Sequence, residues 1–446
     1  MSSAEYQRRR QQLMKLMAPG SIAVLPASRI QNRNRDTEHL FRQNSDFYYL
    51  TGFDEPNAVL VLAPGREHGE VILFCQEREA GLEQWTGERM GPDRASQMLG
   101  VDDGFPITDL PDILPGLLEG RERIYAALGE HPDFDRDIME WVKTIRAREV
   151  HGASPPGEFI VLSHLLHDLR LYKSAHELKL MRRAAEITTA AHIRAMKAAK
   201  PGGTEAGLEA ELIYEFMRSG ARFPAYPCIV GAGKNACVMH YVRNDGPLKD
   251  GDLVLIDAGC EYKYYASDVT RTFPINGKYS GVQRALYEIV LDAQLKAIAA
   301  MKRGEHFNQP HDVAVRTMVE GLVDLKLLKG DVDELIADER YKKFCVHRSS
   351  HWLGLDVHDV GDYRVGGEWR TLEPGMVLTI EPGIYIPDDD SVPSKFRGIG
   401  IRIEDDVLVT RDGHEVLTAA APKKVDDIEA LMREPTGKRK LSRTAS

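Results

Sequence analysis

Five polar residues, Asp257, Asp268, His351, Glu381 and Glu404, stand at the ends of, or inside, short β-like runs where a core would otherwise hold apolar side chains. Asp257 closes Leu253-Val254-Leu255-Ile256, and Glu381 closes Val377-Leu378-Thr379-Ile380, so each sets a carboxylate directly against a core strand. Burying a carboxylate requires a cation. Four carboxylates and one imidazole gathered together would repel one another, whereas two divalent cations bring the same set close to neutrality.

The spacing supports a common site. Asp268 precedes Val269-Thr270-Arg271-Thr272-Phe273, and period-two alternation puts Asp268, Thr270 and Thr272 on one face. Two adjacent strands then present Asp257 and Asp268 to one point. The plainer alternative is a hairpin with one aspartate in a turn and the other exposed. In Ile401-Arg402-Ile403-Glu404, Arg402 and Glu404 share the face opposite the isoleucines, so a metal-free Arg402–Glu404 ion pair is the rival reading. One arginine cannot neutralise four carboxylates. Histidines cluster in the same segments: His240, His347, His351 and His358. A flat strand would point His351 and His358 to opposite faces, so a bend or bulge near Gly354 is required if both serve one site.

A chain of 446 residues exceeds what one core sustains, so at least two domains are expected. No run of eighteen apolar residues occurs, and a net charge of −10 gives no reason to bind nucleic acid or anionic membrane. Small or peptide partners fit better. The five cysteines, Cys75, Cys228, Cys237, Cys260 and Cys345, are odd in number, scattered and outside any CxxC pattern, which points to a reducing, cytoplasmic setting. Arg8-Arg9-Arg10 is followed by an apolar stretch too short for a signal segment and reads as part of an amphipathic first helix. Lys438-Arg439-Lys440-Leu441-Ser442-Arg443 reads as a solvated basic tail.

The first ~150 residues mix β-like runs such as Ala58-Val59-Leu60-Val61-Leu62 with a charged amphipathic stretch from Phe134 to Arg148, the texture of an α/β domain. Gly152-Ala153-Ser154-Pro155-Pro156-Gly157 marks a boundary, with a linker reaching to about Lys173. Ser174-Ala175-His176-Glu177 has the form of a capping box and opens a long helix ending near Pro201; a second helix opens at Thr204, and strands follow to about Phe273. The order repeats from Ser280, with helices to about Arg303 and from Gln309 to Lys329-Gly330, then strands from Phe344 to Val409. Two helix–helix–strand halves are implied, with the aspartates in the first and His351, Glu381 and Glu404 in the second.

The stretch His347-Arg348-Ser349-Ser350-His351-Trp352-Leu353-Gly354-Leu355-Asp356-Val357-His358-Asp359 resembles the proline-peptidase signature of the pita-bread metallopeptidases. Leu255–Gly259, Ser267–Phe273, Thr379–Gly383 and Gly400–Asp405 resemble its other motifs, and Phe41–Gly52 extends the likeness to the aminopeptidase P branch, which cleaves Xaa-Pro bonds. Arg348-Ser349 departs from the family, which often has glycine and then an apolar residue there. The resemblance implies an α/β N-terminal domain of the creatinase/aminopeptidase P type over residues 1–173, linker included. It further implies an α+β pita-bread catalytic domain of two pseudo-symmetric halves over 174–434, and the basic residues after it read as a flexible tail over 435–446.

By the same resemblance Asp257, Asp268, His351, Glu381 and Glu404 hold two divalent metal ions, manganese by preference with cobalt or zinc as alternatives. Water activated between the metals attacks the peptide carbonyl. Glu381 takes its proton, His358 and His240 steady the intermediate or leaving amine, and Arg402 orients Glu404. His347, Tyr226 and His240 wall the proline pocket. Trp85 resembles an aromatic that the family brings from a neighbouring subunit; a buried aromatic in the first domain's core is the alternative. A homo-oligomer, tetramer or dimer, is implied, acting on peptides with proline at the second position. The nearest rival is an Xaa-Pro dipeptidase, which demands a free carboxylate on the proline. A metal-free binding module on the same fold is a rival of a different class, and a general or methionine-specific aminopeptidase is a weaker one.

Overall fold

The computed structural model describes residues 2–434. The basic stretch at 438–443 lies outside the described residues. The chain divides into two compact units between Arg170 and Leu171.

The first unit is built on a six-stranded mixed sheet in the order Asp103–Pro106, Val71–Cys75, Val59–Leu62, Ser21–Pro26, Arg123–Ala126 and Glu158–Val161. Ser21–Pro26 runs antiparallel to Val59–Leu62 and parallel to Arg123–Ala126. The helix Pro132–Arg146 buries Phe134, Ile138, Val142 and Ile145, spaced by three or four residues along one face, in the core of this sheet. Burying side chains of this size contributes roughly 1.5–3 kcal/mol each. In the first helix, Ser3–Leu16, Arg9 and Arg10 are buried. Their guanidinium groups donate to the carbonyls of Tyr49 (3.0 Å) and Leu50 (2.8 Å), which the helix Ser45–Thr51 leaves unpaired at its end.

The expected linker to Lys173 is not a linker over most of its length. Glu158–Val161 pairs with Arg123–Ala126 as the last strand of the sheet, and Ser163–Leu171 is helical. Four residues of half-exposed edge strand carry too little apolar alternation to stand out beside the Pro-Pro-Gly signal before them.

In the second unit each half opens on a capped helix. The Ser174 hydroxyl accepts from the Glu177 N–H, and the Glu177 side chain accepts from the Ser174 N–H; Ser280 and Gln283 do the same at the start of Gly281–Ala300. Each cap contributes about 1 kcal/mol. The first half continues as Ala175–Ala198, Glu205–Arg218 and an antiparallel sheet of Ile229–Ala232, Leu253–Asp257 and Thr270–Pro274. The second has Gln309–Asp324, then a sheet of Val377–Ile380, Asp405–Val409 and His414–Val416, with Gly383–Tyr385 paired to Gly400–Arg402. One hydrophobic core runs through both halves.

Two expectations shift. Gln309–Asp324 ends before Lys329-Gly330, and a short helix, Val332–Ala337, follows it. Residues 344–363 form no strand; Trp352 makes an isolated bridge to Leu378, flanked by bonds from the Glu381, Thr379 and Leu353 N–H groups to the Ser349, His351 and Val377 carbonyls at 2.9–3.0 Å. That ladder fixes His351 beside the strand ending at Ile380. Among the described residues, no helix is long and apolar enough to cross a membrane.

Candidate active site

Leu253–Asp257 lies between Ile229–Ala232 and Thr270–Pro274, and its register sets Asp257 opposite Thr270. Asp268, two residues before that partner, comes to the same end of the strand pair. The Tyr226 hydroxyl lies between the two carboxylates, donating to Asp257 Oδ1 at 2.5 Å and reaching Asp268 Oδ1 as well. A short hairpin, Cys260–Tyr262 with Tyr265–Ala266, fills the interval, so neither aspartate is an exposed turn residue.

The second half supplies the rest. His351 Nε2 is 3.4 Å from Asp268 Oδ2 and 3.5 Å from Glu381 Oε1. Donor atoms of Asp268, His351 and Glu404 all lie within 4.8 Å of one another. Asp257 and Glu381 flank that trio, and all five line one cavity of about 610 Å³ together with Tyr226, His240, His347, His358 and Arg402. Pro227, Ile229, Met239, Val242 and Val357 give it apolar walls.

Arg402 does not pair with Glu404, contrary to the rival reading from the sequence. Its Nη2 donates to Asp257 Oδ2 at 2.5 Å, its Nη1 to the Tyr385 hydroxyl at 2.6 Å, and its Nε to the Thr270 hydroxyl at 3.0 Å. Thr270 in turn donates to Glu404 Oε2 at 2.6 Å. The strand Gly400–Arg402 ends before Glu404, so the alternation that would set the two on one face does not persist.

The electrostatics expose the shortage of positive charge. Burial raises Glu381 to about 7 despite the opposing fields of His351 and Arg402. Burial together with Asp268, Glu381 and Asp257 drives Glu404 well above the usual carboxylate range, and burial also raises Asp257. Burial alone would lower His351, but its bond to Asp268 and the charge of Glu381 lift it to about 9. Among the described residues, Arg402 and His351 are the cations acting on these four carboxylates. An oxygen-rich donor set with a single imidazole and this surplus of negative charge fits divalent cations.

The histidines divide by environment. Residues 353–358 bend sharply: the Gly354 N–H donates to the Asp356 carbonyl at 3.1 Å and the Asp359 N–H to the Trp352 carbonyl at 2.9 Å. A Cβ on Gly354 would lie 2.1 Å from Asp359 Oδ2, a carboxylate held by Lys173 at 3.0 Å, so only glycine fits. The bend brings the His351 and His358 rings edge to face at 4.4 Å. Burial beside Arg402 lowers His347 to about 3, and its Nε2 lies 2.7 Å from the Tyr385 hydroxyl. His240 sits in an exposed turn at the cavity edge.

Trp85 belongs to the first unit. It is 87% exposed on the helix Ala80–Thr86, which overturns the alternative that it is a core aromatic.

Three residues escaped the sequence. Tyr385 links His347 to Arg402; Thr379 accepts from the His351 N–H at 3.2 Å; and the Asp406 carboxylate accepts from the Asp268 N–H at 3.1–3.2 Å. The adjacent acids Asp405-Asp406 at the head of an apolar strand were a visible signal for the last.

Comparison with known proteins decides the family. The family model for metallopeptidase family M24 matches residues 179–411, and that for the aminopeptidase P N-terminal domain matches residues 6–125. The chain belongs to metallopeptidase family M24. An M24 relative, the Xaa-Pro aminopeptidase of Escherichia coli K12, is 48% identical over 433 residues, covering 97% of this chain and 98% of its own. The structure of Pseudomonas aeruginosa aminopeptidase PepP superposes with a TM-score of 0.96 at 60% identity, covering 97% of this chain and 98% of that one. Zn-substituted E. coli aminopeptidase P in complex with product gives 0.94 at 47% identity, covering 97% and 98%. The two-domain arrangement of an aminopeptidase P N-terminal domain and an M24 catalytic domain is thus that of the expected fold.

Proposed function

We propose that this M24 enzyme is an Xaa-Pro aminopeptidase: it hydrolyses the bond between an N-terminal residue and a following proline, using two divalent cations held by Asp257, Asp268, His351, Glu381 and Glu404. The observation that carries this reading is the convergence of those five residues, with too little protein positive charge to balance them, in a cavity with apolar walls. Whole-length similarity to Xaa-Pro aminopeptidases favours it over a dipeptidase. Manganese is the proposed metal, with cobalt or zinc as alternatives, on the softness of the donor set.

When bound, the cations supply Lewis acidity, lowering the pKa of water to about 7 and polarising the scissile carbonyl. Glu381 accepts the proton of the attacking water. His358 and His240, on the cavity wall, donate hydrogen bonds to the developing oxyanion or to the departing amine. Arg402 pins Asp257 directly and Glu404 through Thr270, fixing both carboxylates before substrate arrives. His347, Tyr226 and the apolar wall from Pro227 to Val242 accept the pyrrolidine ring. The helix Ala80–Thr86, which has no buried residue, supports assembly as a homo-oligomer, dimer or tetramer, in which Trp85 meets a neighbouring copy. Five free cysteines, four of them buried, suit a cytoplasmic setting.

The test is a panel of Xaa-Pro-Xaa tripeptides and Xaa-Pro dipeptides assayed with and without chelator. Tripeptides should be cleaved, chelation should abolish cleavage, and manganese should restore it. Cleavage of dipeptides alone would make the enzyme a dipeptidase, and cleavage unaffected by chelation would remove the metals.

A further inference from the structure

Arg348 is the charged member of the Arg348-Ser349 pair that departs from the family pattern, and its side chain has no part in the chemistry above. It is exposed, yet it lines the same cavity as the five clustered residues. The other arginine of that lining, Arg402, is buried and committed to Asp257. Arg348 is held from two sides: its guanidinium stacks 4.7 Å from the Trp369 ring centre, and its Nη2 donates to Asn308 Oδ1. Arg364 stacks on the same ring at 4.1 Å. Among the described residues no carboxylate pairs with Arg348. Stacking leaves the in-plane N–H groups of a guanidinium free to meet a planar anion.

Ser349, the next residue, accepts through its carbonyl from the Glu381 N–H at 2.9 Å, so Arg348 departs from the backbone beside the reacting end of the cavity. Its side chain runs to the hairpin of Arg364–Val365 with Glu368–Trp369. A peptide cut before proline keeps its N-terminal residue deep and sends the chain after proline outward. We propose that Arg348 forms a carboxylate-binding subsite for the part of the substrate that follows proline, and so sets a preference for short peptides with a free C-terminus or for an acidic third residue. This rests on the Xaa-Pro reading and names its specificity.

The test compares kcat and KM of the manganese-supplemented full chain on Ala-Pro-Ala and its C-terminal amide, and on Ala-Pro-Asp-amide and Ala-Pro-Asn-amide. Inhibition by Pro-Ala and Pro-Ala-amide gives a readout of binding alone. A partly exposed charge-assisted contact predicts a roughly 3- to 10-fold advantage for the carboxylate member, carried in KM and mirrored in inhibition. In R348A the ratio should fall below about twofold, while R348K, a charge without the planar fork, keeps part of it. An advantage confined to the free acid assigns the C-terminal carboxylate; one shared by the Asp/Asn pair assigns the side chain. Equal rates for acid and amide in the wild type, or a ratio that survives R348A, would overturn the subsite while leaving Xaa-Pro cleavage standing. Failure to cleave any of the four peptides would overturn both readings.

Discussion

Glu404 and Asp405 are neighbours in sequence and both are buried, yet the protein treats their charges in opposite ways. Asp405 meets Arg271 Nη2 at 2.7 Å, Lys423 Nζ at 2.7 Å, the Gln294 amide at 2.7 Å and the Thr418 hydroxyl at 2.7 Å. Burial would raise its pKa, but the two cations outweigh it and hold it down to about 2. Among the described residues the Glu404 carboxylate is bonded only by the Thr270 hydroxyl, and burial together with the carboxylates it faces raises its pKa. In the first unit Asp46 follows the Asp405 pattern, with burial outweighed by Arg170 at 2.7 Å and His167 at 3.0 Å. For Asp405 and Asp46 this chain provides the cations from within. Around Glu404 it withholds them, which leaves the negative field available to ions from solution.

The comparison breaks if Asp405 can be neutralised without penalty. Replacing it by Asn leaves Arg271 buried with no carboxylate partner, and removal of one partner from a buried pair typically costs about 3–5 kcal/mol. D405N should lose that much stability by denaturant unfolding, with or without added manganese. A loss under about 1 kcal/mol would mean that the Arg271 bonds to the Thr270, Ala421 and Pro422 carbonyls suffice and that Asp405 is not the matched half of the contrast.

Much of this contrast was legible in the residues. An apolar run closing on Asp257 or Glu381 told of a charge against a core strand, and the capping box at Ser174 and the repeat of element order from Ser280 marked where the two halves begin. The need for a bend at Gly354 followed from strand alternation and is met by the close approach of Asp359. The partner of Arg402 was not legible: alternation on a strand favoured Glu404, but the strand stops at Arg402, and the choice of Asp257 is a long-range contact across 145 positions. Tyr385 and Asp406 were missed for the same reason, since their roles depend on which strands pair. The strand Glu158–Val161 was hidden because edge pairing leaves a weaker pattern than the glycines and prolines beside it.

A third arrangement, a buried ionisable group kept without charge of its own, sharpens the contrast. His192, in the helix Ala175–Ala198, donates from Nε2 to the Ala258 carbonyl at 3.0 Å, and among the described residues its Nδ1 has no hydrogen-bond partner. Burial lowers it to about 4, so the folded protein keeps it neutral. A base whose folded pKa is depressed binds protons more readily when unfolded. Its stabilising contribution is therefore complete above about pH 6.5 and is lost as the pH falls through 6.5 to 4. At about 1.4 kcal/mol per pK unit the loss is at most of the order of 3 kcal/mol. H192Q should flatten the stability profile between pH 6.5 and 4 relative to wild type; parallel profiles would mean that His192 is charged in the folded state.

The smallest effect is the most discriminating, because its sign changes with metal. Glu404→Gln keeps an acceptor for the Thr270 hydroxyl and removes one of the crowded charges. An acid whose folded pKa is raised loses stability as the pH climbs above its unfolded value, so in chelator-stripped protein E404Q should match wild type near pH 4 and exceed it by roughly 1–2 kcal/mol at pH 7. Manganese stabilises a protein that binds it by mass action, about 2.7 kcal/mol at a hundred times the dissociation constant. Wild type should therefore overtake E404Q on manganese addition, with the variant retaining less metal. If stripped E404Q is instead less stable than wild type at pH 7, Glu404 is already balanced by the protein itself, and the difference between it and Asp405 disappears.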